Sequence, residues 1–161
     1  AILLYTGIRS EEIMGLRWND IDQKNRTITI RRVVTRVAKG EFAPVETTKS
    51  DRIRVITYGD QLAAHLRAAP RTSIYVVPAV RGGYMTPGSF RRQYDNFFKV
   101  LTVRRLSPHK LRHTYATYLI KGGAELRAVQ TLLGHSSVKV TEIYTHVNTD
   151  DQRRASQKLA Y

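Results

Sequence analysis

The sequence predicts an α+β fold, mainly α-helical, as one domain over residues 1–161 with a small three-stranded antiparallel sheet. Three observations carry that prediction. Between residues 27 and 57 the chain alternates and is rich in Thr, Ile and Val, with Gly40 as a turn, which is the pattern of short paired strands. From Thr86 onward apolar residues recur at three- and four-residue spacing, which is the pattern of helices. The chain has 161 residues, 42% of them hydrophobic, with no internal repeat, low-complexity segment or Pro- or Ser-rich linker, so one core suffices.

Each element follows from local signals. Residues 1–6 read as the end of a helix stopped at Gly7. Ser10 is a good N-cap for a short helix from Glu11 to Leu16. Trp18 to Asp22 reads as a polar corner, with Trp18 a core anchor. Thr27 to Thr35, Phe42 to Thr47 and Arg52 to Thr57 read as the three strands. Gly59-Asp60 opens a helix to about Ala69, closed by Pro70. Ile74 to Val77 is a short extended piece, and Gly82-Gly83 and Pro87 mark a loop. Helices follow at about 88–101, 107–121, 125–133, 138–146 and 149–159. Ser107-Pro108 combines an N-cap with proline at the first helical position. Gly122-Gly123 and Gly134 are helix stops. The chain opens on Ala1-Ile2-Leu3-Leu4, which reads as the middle of a helix and suggests an excised part of a longer protein.

Composition removes several function classes. There is no cysteine, which excludes disulfides, Cys-ligated zinc, iron–sulfur clusters and cysteine nucleophiles. No apolar run approaches the ~18 residues of a membrane span. Lys and Arg number 27 against 13 Asp and Glu, a net charge of +14. The excess is localised. Residues 1–30 cancel to zero, residues 31–54 carry net +4, and residues 91–112 carry net +6 with Asp95 as their one acidic side chain. A localised basic face suits a polyanion, nucleic acid above all. Charge alone leaves DNA and RNA, and binding and catalysis, equally open.

The helix from Ser107 carries the most chemistry. His109, Arg112, His113 and Ala116 recur at three and four residues and share one face. Leu111, Tyr115, Tyr118 and Leu119 take the other side, with Tyr115 and Tyr118 expected in the core. Two histidines and an arginine near a helix N-terminus suit an anion; polar surface is the plain alternative. A zinc site is a third reading, since His109 and His113 lie four apart and His135 and His146 could complete the set. Against it, Arg112 would sit beside the ion, and Lys110 stands where a zinc-protease helix has Glu.

Four segments taken together are more specific than any one. Thr6-Gly7-Ile8-Arg9-Ser10-Glu11-Glu12 runs on to Leu16-Arg17-Trp18-Asn19-Asp20-Ile21-Asp22. Thr48-Lys49-Ser50 follows, then Ser107-Pro108-His109-Lys110-Leu111-Arg112-His113-Thr114. Last comes Leu132-Leu133-Gly134-His135-Ser136-Ser137, with Tyr144-Thr145-His146 nine residues after His135. In this order and spacing the chain closely resembles the catalytic domain of the tyrosine recombinases, the phage-integrase family, from about Leu4 to about Val147.

The resemblance implies a role for each matching position. Arg9 and Arg112 would clamp the scissile phosphate, since guanidinium forks bind phosphate oxygens bidentately and lysine does not. Tyr144 would be the nucleophile, leaving a 3′-phosphotyrosyl bond and a free 5′-hydroxyl. His109 would act as general base, because tyrosine, with a pKa near ~10, needs help at neutral pH. Lys49 would be the general acid, its pKa lowered beside two arginines. His135 would donate a hydrogen bond to the phosphate, and Glu12 would orient the groups around it. Arg91, Arg92, Arg104, Arg105 and Lys110 are the candidate DNA-phosphate contacts. The family implies no metal, no ATP and no other cofactor. It implies double-stranded DNA as partner, a homotetramer on two DNA sites at full length, no membrane, and action in the bacterial cytoplasm. It also implies an upstream core-binding domain outside this chain and a possible exchange segment at residues 148–161. The long excursion from Arg31 to Arg54 resembles integrases of phages and integrative elements more than chromosome-dimer resolvases. A relaxing topoisomerase and a non-catalytic DNA-binding module are the rival readings.

Overall fold

The computed structural model describes residues 1–46, 53–101 and 103–134. Lys49, His135, Tyr144, His146 and the helices expected at 138–146 and 149–159 lie outside the described residues. Among the described residues there are six α-helices and five strands. Helix α1 spans Ile2–Thr6 and buries Ile2 and Leu3. It ends at Gly7, whose φ of 62° places it in the left-handed region. Helix α2 spans Ser10–Gly15. Its N-cap is Arg9 rather than the expected Ser10, because the Glu12 carboxylate reaches back to accept the Arg9 backbone N–H at 2.7 Å. That carboxylate supplies the reciprocal half of a capping box, so no serine hydroxyl is needed.

The expected three-stranded sheet is present with different members. A 3-10 turn at Trp18–Asp20 leads into strand β1, Ile21–Asp22, so the presumed polar corner is partly sheet. Strand β2, Thr27–Ile30, pairs antiparallel with β1 and with β5, Arg54–Thr57, in the order β1-β2-β5. Strands β3, Arg32–Ala38, and β4, Glu41–Glu46, form a separate hairpin. The single strand expected over Thr27–Thr35 is thus two. The reason it reads as one is visible in burial: Ile28, Ile30, Arg32 and Val34 are all buried. The two-residue alternation runs straight through Arg31 while the pairing partner changes. The turn is fixed by charge. Both Arg31 and Arg32 reach the buried Asp20 carboxylate, at 3.0 and 2.6 Å.

Helix α3, Asp60–Ala68, follows Gly59 as its N-cap. Helix α4 spans Pro87–Val100, and the Thr86 hydroxyl accepts the Ser89 N–H. Helix α5 spans Pro108–Lys121, and the Ser107 hydroxyl accepts the Lys110 N–H at 3.2 Å. Helix α6 spans Leu126–Leu133 and ends at Gly134, left-handed with φ 65°. The main core gathers Ile2, Met14, Leu62 and Phe90 from the first four helices, Ile28 and Ile56 from the sheet, and Ile8, Leu16 and Met85 from the segments between, and Trp18 packs half-buried against it. A second, smaller cluster of Ala116, Val129 and Leu133 lies between α5 and α6. Tyr118, expected in the core, is 72% exposed. The face of α5 that is buried is the one carrying Arg112 and Ala116.

Candidate nucleic-acid and phosphate site

The left-handed end of α1 turns the chain so that Arg9 and Arg112 meet, though 103 residues separate them in sequence. Arg112 is buried on α5. Its Nη1 donates to the Gly7 carbonyl at 2.7 Å and its Nη2 to the Leu133 carbonyl at 2.6 Å. Arg9 is more open and donates from Nη2 to the next carbonyl along, Gly134, at 3.0 Å. The two arginines expected to clamp one phosphate therefore share an anchorage on consecutive carbonyls at the end of α6. The negative end of a helix dipole and three open carbonyls suit that anchorage.

A third arginine completes it, and the sequence reading passed over it. Arg54, on β5, donates from Nε to the Leu132 carbonyl at 3.3 Å. Its Nη1 and Nη2 fork the Glu12 carboxylate at 2.7 and 2.9 Å. Burial alone would raise the Glu12 carboxyl. The hydrogen bonds and charge of Arg54, then the backbone N–H and charge of Arg9, outweigh it and hold the group below its ordinary value. Glu12 thus stands beside Arg9 as expected, buried and ionised. Gly134 is needed here twice. Its backbone is left-handed, and a Cβ on it would lie 2.9 Å from the Arg54 guanidinium carbon.

His109 and His113 are brought together, with ring nitrogens 2.9 Å apart and rings edge-on. His109 is exposed. Burial, then the charges of His109 and Arg112, lower the pKa of His113. A cavity of about 530 Å³ opens beside it, lined by Leu106, Lys110, His113, Thr114, Thr117, Tyr118 and Lys121. Among the described residues no three His, Cys, Asp or Glu side chains are grouped to hold a metal ion. Nor is any helix among them long and apolar enough to cross a membrane.

The described tyrosines other than Tyr118 are mostly committed to packing. Tyr115 packs on Gly7, where a Cβ would come within 2.5 Å of its ring, and burial raises its pKa. Tyr94 donates to the Leu106 carbonyl at 2.8 Å and Tyr84 to the Phe42 carbonyl at 2.9 Å. Arg91, Arg92, Arg104, Arg105 and Lys110 are all exposed. Arg105 is the most constrained of them, paired with Asp95 at 2.6 Å and lying over the Tyr94 ring.

Arg9 and Arg112 thus converge on consecutive carbonyls at the end of α6, on a chain of net charge +14. The model of the phage integrase family matches residues 1–151, and the chain belongs to that family. It is 40% identical over 155 residues to tyrosine recombinase XerC of Corynebacterium efficiens, covering 91% of this chain and 45% of that protein. It is 35% identical over 151 residues to tyrosine recombinase XerD of Vibrio cholerae, covering 92% and 48%. The chain spans about half the length of the curated relatives it matches. Among solved structures it is similar to the Tn1549 transposon integrase in complex with circular intermediate DNA, with TM-score 0.79, 25% identity, and coverage of 99% of this chain and 58% of that one. It is also similar to the XerA recombinase, with TM-score 0.72, 26% identity, and coverage of 99% and 56%.

Proposed function

We propose that this chain is the catalytic domain of a site-specific tyrosine recombinase that breaks and rejoins double-stranded DNA. The observation that carries the reading is the meeting of Arg9 and Arg112 on consecutive carbonyls of α6, next to the histidine pair of α5. Arg9 and Arg112 grip the non-bridging oxygens of the scissile phosphate and stabilise the charge that grows there. The Tyr144 hydroxyl attacks phosphorus and passes its proton to His109. The bond to the 5′-oxygen breaks, and that oxygen leaves with a proton from Lys49. His135 hydrogen-bonds a phosphate oxygen, and Glu12 holds Arg9. The 3′-phosphotyrosyl bond keeps the phosphodiester energy, so an incoming 5′-hydroxyl reverses the step without ATP. The clamp stabilises phosphate charge by itself, and the reaction proposed is metal-independent.

The Tn1549 integrase structure is a complex with DNA, which supports duplex DNA as the partner here. Arg91, Arg92, Arg104, Arg105 and Lys110, all exposed, follow its backbone in this reading. At full length the protein works as a homotetramer on two sites in the bacterial cytoplasm, with an upstream core-binding domain, and residues 148–161 are exchanged between neighbours. Likeness to a transposon integrase favours integration and excision of a mobile element. The 40% identity to XerC favours a second reading, a recombinase acting at a fixed chromosomal site. Mapping covalent adducts across the host genome separates the two. Adducts at element junctions support the first, and one chromosomal locus supports the second.

The test of the chemistry uses the full-length parent on a nicked suicide substrate of its own site, in EDTA. A protein–DNA adduct that disappears in Tyr144→Phe is the expected result. Tyr118, exposed in the cavity beside His113, is the rival nucleophile to check. Loss of the adduct in Tyr118→Phe with retention in Tyr144→Phe would reassign the nucleophile. Tight binding with no adduct would leave the DNA-binding module reading.

A further inference from the structure

We propose that Arg54 is a positioning residue that keeps Arg9 free to grip phosphate, an inference that rests on the recombinase reading above. The Glu12 carboxylate is buried and must be satisfied where it stands. Two guanidinium groups compete for it. Arg54 takes it as a fork with bonds of 2.7 and 2.9 Å. The Arg9 guanidinium is left with one long bond of 3.3 Å to the same carboxylate. The exposures match this division: the Arg54 side chain is 10% exposed and the Arg9 side chain 39%. Arg54 is therefore the buried counter-ion, and Arg9 remains the outward-facing cation. The Nε bond of Arg54 to the Leu132 carbonyl ties this arrangement to the α6 end that also anchors Arg9 and Arg112.

Removing Arg54 leaves Arg9 as the nearest described cation for a buried carboxylate. Glu12 would then draw the Arg9 guanidinium inward into a fork, withdrawing it from the phosphate. The expected defect is thus in chemistry more than in DNA affinity, and it should depend on the charge of Glu12. The sequence alone does not show this, because Arg54 stands 42 residues from Glu12 and 78 from Leu132.

The experiment measures single-turnover cleavage by the full-length protein at saturating suicide substrate, with DNA affinity and thermal stability alongside. Arg54→Met should cleave about 100-fold more slowly, the size of losing one preorganised donor. Its DNA affinity should stay within about threefold, because the phosphate contacts that dominate binding are elsewhere. The companion Arg54→Met/Glu12→Gln should recover about tenfold over Arg54→Met, since it removes the unpaired buried charge. Combining Arg54→Met with Arg9→Ala should cost little beyond Arg9→Ala alone, as expected of residues acting through one another. A structural defect would multiply with Arg9→Ala and follow thermal stability. Arg54→Lys, which keeps the charge without the fork, should lose about tenfold and carries the test if the Met variant folds poorly. Parent-like cleavage by Arg54→Met or Arg54→Lys would overturn the proposal, as would absence of rescue by Glu12→Gln or multiplicative loss with Arg9→Ala. A parent that forms no adduct would overturn the recombinase reading itself, and the role of Arg54 with it.

Discussion

The two hydrophobic clusters among the described residues differ in how much polar bonding accompanies them. The larger joins α1 to α4 with the sheet through side chains such as Ile28, Leu62 and Met85, all almost fully buried. Among the described residues the smaller has Ala116, Val129 and Leu133 as its buried members. α5 and α6 are fastened to the rest by Leu111 and Leu132, which pack on the main core, and by Tyr115 on Gly7, together with polar bonds: Arg112 to the Gly7 carbonyl, Arg9 to Gly134 and Arg54 to Leu132. Apolar burial makes a rigid platform because it is non-directional and sums over many contacts. Directional bonds fix geometry instead. The site lies where the second kind of attachment meets the first, so the groups proposed for chemistry also hold the two regions together.

Four outcomes would sharpen or break this contrast, the largest first. Ile28→Ala should cost about 4 kcal/mol of global stability in denaturant unfolding, as expected for a cavity in a tightly packed core. Leu133→Ala should cost about 2–3 kcal/mol, at the low end for that change. Its signature should be local, with faster amide exchange in α6 and little change in the sheet. Equal global losses would mean that the two clusters are one. Gly7→Ala should cost about 1–2 kcal/mol from the left-handed backbone alone. It also drives a Cβ against Tyr115, so α5 amides should lose protection before those of β2.

The smallest effect is the acid one. Glu12 is held below its ordinary value of 4.5, burial opposing and Arg54 then Arg9 prevailing. A depressed carboxyl contributes stability that is complete above the ordinary value and lost as pH falls through the lower folded value. Stability followed from pH 6 to pH 3 should therefore decline below about 4.5, and Glu12→Gln should flatten that decline. A variant with the parent's acid profile would show that Glu12 is not a net contributor.

The legible parts of this fold were those set by neighbours in sequence. Ser107-Pro108 started α5, and Gly134 ended α6, because capping is decided within four residues. Of the residues the motifs singled out, Arg9 bonds Glu12, Arg9 and Arg112 bond consecutive carbonyls, and His109 faces His113. Residues whose roles depend on distant chain were not legible. Arg54 looked like one basic residue among many on a strand. Ile21–Asp22 became a strand only because β2 lies beside it. The alternation continues unbroken through Arg31, so the change of pairing partner there, where Asp20 takes two guanidinium groups, leaves no mark in the sequence. Tyr118 shared a helix side with apolar residues, yet no element among those described covers it.

The carbonyls that receive Arg54, Arg112 and Arg9 belong to residues 132, 133 and 134 of the main chain. No codon change in α6 can delete a backbone oxygen, so these ligands persist through substitutions that keep the helix. Length is a different matter. One residue inserted or deleted within α6 turns its end by about 100° and shifts it by about 1.5 Å, which would point all three oxygens away from their arginines at once. Sequence drift in α6 is tolerated wherever the apolar face is kept, whereas its residue count is fixed, as the tooth count of a gear is fixed by the wheel it meshes with.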